Sequence, residues 1–189
     1  MQDVSDEAML VLFANGDPAA ARALTLRLTP RAFGHAMRLL GNRAEAEDVA
    51  QEAMLRLWRV APEWRQGEAK VTTWLYRVVA NLCTDRLRRS GRGVALEAVP
   101  EPEDDARGPH ERMQEAARLD ALQDGLNILP ERQRQAVVLR HIEGLSNPEI
   151  ADVMEISVDA VESLTARGKR ALSAVLEGRR EELGYADDR

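Results

Sequence analysis

The chain has 189 residues and a formal net charge of −6, with 44% hydrophobic, 31% charged and 4% aromatic residues. This length fits one domain or two small ones, and the scarcity of aromatic residues favours helical bundles over sandwiches. A single cysteine excludes an intrachain disulfide, and three widely separated histidines argue against a metal site. No signal peptide or membrane-spanning apolar run is present, so we expect a cytoplasmic protein without membrane insertion.

Helical periodicity dominates the N-terminal part of the chain. The stretch DEAMLVLFANG predicts a short first helix. Asp17 then caps a second helix that has Pro18 at its first position, and Pro30 opens a third helix that Gly41 ends. The stretch RAEAEDVAQEAMLRLWRVA predicts a long amphipathic helix that ends at Pro62.

The next helix, TTWLYRVVANLCTDRLRR, lies in a basic block. Residues 65–93 hold seven basic side chains against two acidic ones, a net charge of +5. Glycines, three prolines and an acidic run then interrupt the helical pattern of apolar residues. This composition predicts a flexible acidic linker over residues 91–110. Helices resume at about Glu111, and no alternating run predicts a strand. The fold class is therefore all-α, with two small helical domains over residues 1–90 and 111–189.

Residues 145–172, LSNPEIADVMEISVDAVESLTARGKRAL, predict a helix-turn-helix. Ser146 and Glu149 fit a capping box at the start of the first helix. Glu155 occupies the turn position that glycine usually takes. A left-handed backbone at this position costs a residue other than glycine about 1 kcal/mol. Gly168 lies in the middle of the second helix, where glycine lowers helix stability by about 1 kcal/mol relative to alanine.

The outward face of the second helix offers groups that can enter a major groove. Arginine is the side chain that most often hydrogen-bonds guanine, and serine can hydrogen-bond any base. The alternative is a helical hairpin with a charged, solvated face. The candidate DNA-binding residues of this helix are Ser163, Ala166, Arg167, Lys169 and Arg170.

With its N-terminal helices included, the chain resembles a sigma factor of the extracytoplasmic-function (ECF, group IV) class of bacterial RNA polymerase. The stretch RAEAEDVAQEAMLRLWR resembles the region 2 helix that binds core polymerase, and TTWLYRVVANLCTDRLRR resembles the helix that melts and reads the −10 element. The C-terminal half resembles region 4, which reads the −35 element. The resemblance covers nearly the whole chain, and it implies promoter-specific transcription initiation without enzymatic activity or a cofactor.

The resemblance also implies the partners. These are core RNA polymerase, through its β′ clamp and β flap, promoter DNA, and an anti-sigma factor. On the predicted core-binding helix, acids, an amide and one leucine lie away from the apolar stripe, as suits a basic partner helix. A solvated face is the alternative. The residues matched to this role are Asp48, Gln51, Glu52 and Leu55.

On the predicted −10 helix, cations would hold phosphates and an amide would bond an unstacked base. The resemblance places the residue that helps to hold the flipped −10 base at Asn81. Core packing is the favoured interpretation of Trp74. The residues assigned to −10 DNA are Asn81, Arg77, Arg86, Arg88 and Arg89.

The recognition helix departs from the family pattern at one point. Family members commonly run V-x-S-R-L, whereas this chain has V-E-S-L-T over residues 161–165, and Glu162 faces outward. This departure leaves the −35 sequence open.

Three other functions are alternatives to this interpretation. A stand-alone helix-turn-helix regulator would leave the basic helix before the linker unexplained. An enzyme would need a nucleophile–base pair, metal-ligand spacing or a phosphate loop, and we find none of them in the sequence. A helical adaptor without DNA contact is the third alternative.

Overall fold

The computed structural model describes residues 4–65, 67, 70–89 and 109–178, and within residues 109–114 it describes the backbone alone. Over these residues the chain is all-α, as the sequence predicts. Two short irregular turns continue α3 and α6: a 3-10 turn at Ala61–Glu63 and a π turn at Val138–Ile142. The helices are α1 (Asp6–Ala14), α2 (Pro18–Leu40), α3 (Arg43–Val60), α4 (Val71–Arg89), α5 (Pro109–Ile128), α6 (Glu131–Val137), α7 (Asn147–Met154) and α8 (Val158–Glu177).

Helix α2 is continuous through Pro30, so the predicted break at this residue is wrong. A proline inside a helix costs about 3 kcal/mol because it removes a hydrogen bond and crowds the preceding turn. Here Pro30 lies on the exposed face, and the carbonyl that loses its donor belongs to Leu26, which is also exposed and open to water. The buried stripe keeps one register on both sides of the proline. Its members are Ala20, Leu24, Leu28, Ala32, His35, Ala36, Leu39 and Leu40.

Helices α1 to α4 form the first helical group around one apolar core. Asp17 caps α2 through bonds to the amides of Ala19 and Ala20, and Gly41 ends it in a left-handed conformation with φ 68°, both as predicted. The Arg27 guanidinium donates to the Asp6 carboxylate at 2.7 Å, which fastens α1 to α2.

Helices α5 to α8 form the second helical group. Helix α5 begins at Pro109, two residues before the predicted start of the helices. The predicted linker residues 91–108 lie outside the described part of the chain. Gly144, with φ 74°, follows the π turn and redirects the chain into α7. The core of this group is built from two adjoining clusters of buried residues on α5 to α8.

The two helical groups are in direct contact. Arg134 of α6 donates to the carbonyl of Leu39 at 2.6 Å, so a cation of the second group satisfies a carbonyl in the last turn of α2. The Thr84 hydroxyl of α4 donates to the Glu131 carboxylate of α6 at 2.6 Å. The Tyr76 ring of α4 lies in the core of the second group, with Leu139 and Ile150 among its members.

Candidate partner-binding and nucleic-acid-binding surfaces

Helix α3 presents the predicted core-binding residues on the face opposite its buried stripe. Ala46, Val49, Ala50, Ala53, Met54 and Leu57 are buried against the first core. Asp48 and Gln51 are exposed, Glu52 is half-buried, and 44% of Leu55 is exposed. An exposed leucine beside acids and an amide can serve as the apolar contact of a polar interface.

The acids on this face have partners within the chain, which the sequence did not reveal. The Arg56 guanidinium donates to the Glu52 carboxylate at 2.8 Å, and this bond lowers the pKa of Glu52. Arg86 of α4 lies 3.6 Å from the Asp48 carboxylate. An arginine assigned to −10 DNA therefore also contacts an acid assigned to core polymerase, and the two candidate surfaces adjoin.

Helix α4 carries the predicted −10 residues on different sides. Asn81, Arg88 and Arg89 are exposed, as contact with a nucleic acid requires. Arg77 is half-buried, and its guanidinium donates to the backbone carbonyl of Asp152 in α7. The structure therefore keeps Asn81 and the C-terminal arginines together on accessible surface and turns Arg77 toward the second helical group.

Trp74 packs against the first core, as the sequence analysis favours. Its indole meets that of Trp64 edge to face, with ring centroids 6.2 Å apart and planes at 88°. Such an arrangement is a typical aromatic packing contact. The single cysteine, Cys83, is buried on the same helix, and burial raises the pKa of its thiol to about 12.

Helices α7 and α8 form the predicted helix-turn-helix. Glu155 turns the chain between them with φ 54° and ψ 50°, the left-handed conformation expected at this position. At the start of α7, the Glu149 carboxylate accepts bonds from the amide of Ser146 at 2.9 Å and from its hydroxyl at 2.7 Å. Ile150, Ala151 and Met154 are buried, as the predicted inner face requires.

Gly168 has a packing role that the sequence did not reveal. A Cβ at this position would lie 2.6 Å from Cγ2 of Val137 and 3.1 Å from the backbone oxygen of Gln133. Helices α6 and α8 therefore cross closely at Gly168, and only glycine fits between them without a shift. This crossing fixes the orientation of α8 on the second helical group.

The outward face of α8 is accessible along its length. The Arg167 side chain folds back and donates to the carbonyl of Ser163 at 3.2 Å. Glu162 is exposed as well, and Asn147 at the start of α7 donates to its carboxylate at 3.3 Å. The exposed residues of the predicted −35 surface are Ser163, Ala166, Arg167, Lys169 and Arg170.

Other contacts of α4 were missed by the sequence analysis. Lys70, just before the helix, lies 2.7 Å from the Glu149 carboxylate, and the Tyr76 hydroxyl donates to Glu143 at 2.7 Å. Each joins residues more than sixty positions apart, and no local pattern in the sequence predicts such a pair. Within the described part of the chain, no group of three metal-binding side chains could hold an ion, and no helix is long and apolar enough to cross a membrane.

Comparison with known proteins matches both helical groups to one family. Residues 24–93 match Sigma-70 region 2, and residues 119–172 match Sigma-70, region 4. The chain is 38% identical to the ECF RNA polymerase sigma factor SigE of Mycolicibacterium smegmatis, with 86% of this chain and 65% of that protein covered. It is 30% identical to the RNA polymerase sigma-H factor of Pseudomonas aeruginosa, with 91% and 94% covered.

Solved structures agree with this assignment. CnrH, solved in complex with the cytosolic domain of CnrY, gives a TM-score of 0.67 at 28% identity, over 92% of this chain and 97% of that chain. The sigma factor RpoE of Bartonella quintana, solved with the anti-sigma factor NepR, shares the fold with a TM-score of 0.68 at 22% identity, over 82% of this chain and 96% of that chain. The α3 and α4 surfaces lie within the region 2 match and the helix-turn-helix within the region 4 match, and the chain belongs to the ECF family of RNA polymerase sigma factors.

Proposed function

We propose that the chain directs core RNA polymerase to specific promoters by binding the core through α3, opening the −10 element with α4 and reading the −35 element with α8. The arrangement of these exposed faces is the observation that carries the proposal. Acids, an amide and a leucine lie on α3, an amide and arginines on α4, and a serine with cations on α8. The chain acts by binding, without catalysis, in the cytoplasm.

The chemistry of the two DNA surfaces fits different tasks. A melted strand offers unstacked base edges and flexible phosphates, which Asn81 can bond and Arg88 and Arg89 can pair with. Duplex DNA offers base edges in the major groove, where α8 would place Ser163 and Arg167. The acidic chain supplies sequence choice, and core polymerase supplies most of the non-specific attraction.

The proposal includes an anti-sigma factor as a regulatory partner. CnrH, the solved relative at 28% identity, is in complex with the cytosolic domain of CnrY. Such a partner would act by covering the α3 or α4 surface.

Transcription in vitro tests the proposal directly. Core polymerase is supplied with a promoter library, with and without this chain, and the transcripts are sequenced. We expect transcripts that start at a defined subset of promoters when the chain is present. A transcript pattern unchanged by the chain would overturn the proposal, and the selected promoters would otherwise reveal both elements together.

The role of Asn81 can be tested in the same system. We expect Asn81→Ala holoenzyme to bind duplex promoter but to open it poorly. The loss should shrink on a template already mismatched at −10, because strand opening is then complete in advance. Equal losses on closed and mismatched templates would contradict a role in melting.

A further inference from the structure

We propose that Glu162 selects a cytosine in the −35 element, with its carboxylate held by Asn147 so that it can accept a hydrogen bond from the amino group of the base. The inference rests on the proposed function, in which α8 reads the −35 element, and it names one base that this helix prefers. Glu162 is not among the residues of the predicted −35 surface, so it is a further specificity-determining residue.

The position of Glu162 on α8 is the first observation. The helix begins at Val158, so Glu162 is its fifth residue and directly precedes Ser163. Residues near the N-terminus of the second helix contact base edges when a helix-turn-helix binds in the major groove. The Glu162 side chain is exposed, whereas the cations of the predicted −35 surface all lie nearer the C-terminal end of the helix. In the proposed complex, the carboxylate therefore lies where bases are contacted.

The bond from Asn147 is the second observation. Asn147 is half-buried at the first position of α7, and its side-chain amide donates to Oε1 of Glu162 at 3.3 Å. This bond joins the two helices of the helix-turn-helix and restricts the rotamers of Glu162. A side chain that is already held in place loses less conformational entropy when it binds a ligand. Within the described part of the chain, the second carboxylate oxygen, Oε2, has no hydrogen-bond partner and is left for a ligand.

The usual structural reasons for an acid in a helix do not apply to Glu162. An acid in the first turn stabilises a helix through its dipole, but Asp159 is the acid in the first turn of α8, and Glu162 lies beyond it. An acid can also pair with a cation three or four residues away. The residues at these distances are Val158, Asp159, Thr165 and Ala166, and none of them is basic. Contact with a ligand therefore explains the outward carboxylate better than helix stability does.

A carboxylate discriminates among the four bases, because in its ionised form it only accepts hydrogen bonds. In the major groove, guanine presents two acceptors, and thymine presents an acceptor and a methyl group. Neither can donate to Glu162. Cytosine presents the N4 amino donor, whereas adenine presents its N6 amino donor beside the N7 acceptor, which would repel the second carboxylate oxygen. Cytosine is therefore the favoured base, and guanine and thymine are rejected.

The charge of Glu162 has a cost and a compensation. A negative charge beside phosphates lowers the affinity for every DNA sequence. Three exposed cations in the second half of α8, Arg167, Lys169 and Arg170, can offset this cost by pairing with the DNA. Specificity is a difference between affinities, and rejection of wrong partners is one way to obtain it. Glu162 therefore makes α8 more selective rather than tighter in binding.

The test uses holoenzyme, assembled from the full chain and core polymerase, and a promoter library that is randomised at every −35 position. Bound promoters are sequenced, which gives the base preference at each position. For the parent chain, we expect one position at which cytosine is preferred about tenfold, equivalent to about 1.4 kcal/mol.

Two substitutions of Glu162 should change the preference at that position and leave the other positions unchanged. Glu162→Gln should change the preferred base to adenine, because a carboxamide can accept from N6 and donate to N7. Glu162→Ala should remove the preference. The matched control is Glu177→Gln, which removes the same charge from an exposed position at the other end of α8. This control should leave every preference unchanged.

Asn147→Ala tests whether the amide positions the carboxylate. We expect cytosine to remain the preferred base at the same position, with a smaller preference. A purely structural role of Asn147 at the start of α7 would instead weaken binding to all −35 sequences alike. Circular dichroism of each free variant measures whether its helix content equals that of the parent chain.

The other outcomes overturn the inference. Base preferences that are the same for the parent and Glu162→Gln would make Glu162 a solvated acid. An equal gain in affinity for all sequences would show that its charge acts without selecting a base. A parent preference for another base at the affected position would overturn the choice of cytosine. Failure of the proposed function would appear differently, as a parent holoenzyme with no base preference at any −35 position, and would overturn both.

Discussion

At position 168, helix propensity and tertiary packing oppose each other. Alanine in place of a mid-helix glycine gains about 1 kcal/mol of helix stability. At Gly168, however, the added methyl group would meet Val137 at 2.6 Å and the rigid backbone of Gln133 at 3.1 Å. Overpacking of this kind costs about 1–3 kcal/mol, so packing outweighs propensity.

We predict that Gly168→Ala lowers the free energy of unfolding by up to about 2 kcal/mol, the overpacking cost of about 1–3 kcal/mol less the helical gain of about 1 kcal/mol. Gly34→Ala in α2 is the matched control. Its Cβ would meet only the flexible end of Arg38, at 2.9 Å, which can move at the expense of its 3.9 Å contact with Glu143, so this variant should lose less stability than Gly168→Ala. Urea unfolding of both variants measures the difference, and a stabilised Gly168→Ala would show that α8 can move away from α6 at little cost.

The Glu149 carboxylate makes stability depend on pH. Hydrogen bonds from Lys70 and from Ser146 lower its pKa from 4.5 to about 2. A lowered pKa in the folded state gives stability that is fully present above pH 4.5 and is lost as the pH falls toward 2. Because Lys70 is largely exposed, salt should weaken this contribution.

We therefore predict that Glu149→Gln is less stable than the parent chain at neutral pH and that the difference disappears as the pH falls from 4.5 to 2. Denaturant unfolding of both proteins across this range measures the difference. A gap that stays constant down to the lowest pH would show that Glu149 acts through packing rather than charge.

At the scale of helices, features that depend on neighbouring residues could be predicted from the sequence, whereas a feature that depends on tertiary packing could not. The turn at Glu155 and the inner face of α7 were correctly predicted, because capping and a 3.6-residue period depend on neighbouring residues. The break at Pro30 was wrong, because burial of one continuous stripe on α2 outweighs the local cost of proline. The exposure of the candidate α3 and α8 residues also follows from periodicity. Their assigned roles remain predictions.

Helix α3 should determine binding to core polymerase. We predict that Asp48→Arg with Glu52→Arg abolishes core binding and preserves helix content, because charge reversal in an interface costs several kcal/mol. The matched control, Glu63→Arg with Asp120→Arg, makes the same charge change at exposed positions outside α3. A pull-down with core polymerase measures binding. Undiminished association of the first variant, or equal loss in both, would contradict the assignment.

We expect residues on α8 to have two different roles, with some contacting bases and others contacting phosphates. Ser163 and Arg167 lie one turn apart on its outward face, whereas Lys169 points to the flank. We predict that changing Ser163 or Arg167 alters the preferred −35 base, at about 1–3 kcal/mol per lost contact. Changing Lys169 should weaken all promoters alike and lower the salt slope by about one unit.

Holoenzyme binding to a −35 library, measured across a salt series, distinguishes the two roles. Arg167 already bonds the carbonyl of Ser163, so it must swing out to reach a base. If Arg167→Ala weakens every −35 sequence equally, Arg167 is a phosphate anchor and the predicted role is wrong.

For the molecule as a whole, sequence reasoning found two helical groups but not their contact. The buried cluster of Tyr76, Glu143 and His35 joins α4, the π turn and α2. In the sequence Tyr76 and Glu143 resemble ordinary polar residues on a helix, and His35 lies on the buried stripe of α2 without a polar partner nearby in the chain. Only the approach of segments distant in sequence makes them partners. Periodicity carries no information about such an approach.

The acidic run after α4 should matter for assembly with core polymerase. We predict that neutralising Glu101, Glu103, Asp104 and Asp105 to Gln and Asn leaves folding of the free chain unchanged. Holoenzyme assembly should weaken at low salt, with the difference fading as ions screen the charges. Core affinity of both versions across a salt series measures this effect, and parallel curves would mean that the run is only a solvated tether.

On the proposed function, the exposed α3 face also determines how quickly core polymerase can bind the chain. Asp48, Gln51 and Leu55 are accessible while α4 is still docked against α7. If core polymerase binds α3 as proposed, it can bind the chain while α4 still contacts α7, and any separation of the two helical groups follows as a unimolecular step. At rising polymerase concentration the rate of binding keeps increasing, whereas the rate of the later separation step levels off at a constant value. At high polymerase concentration, the contact between the two helical groups, rather than the amount of polymerase, would then limit how fast a promoter-competent complex forms.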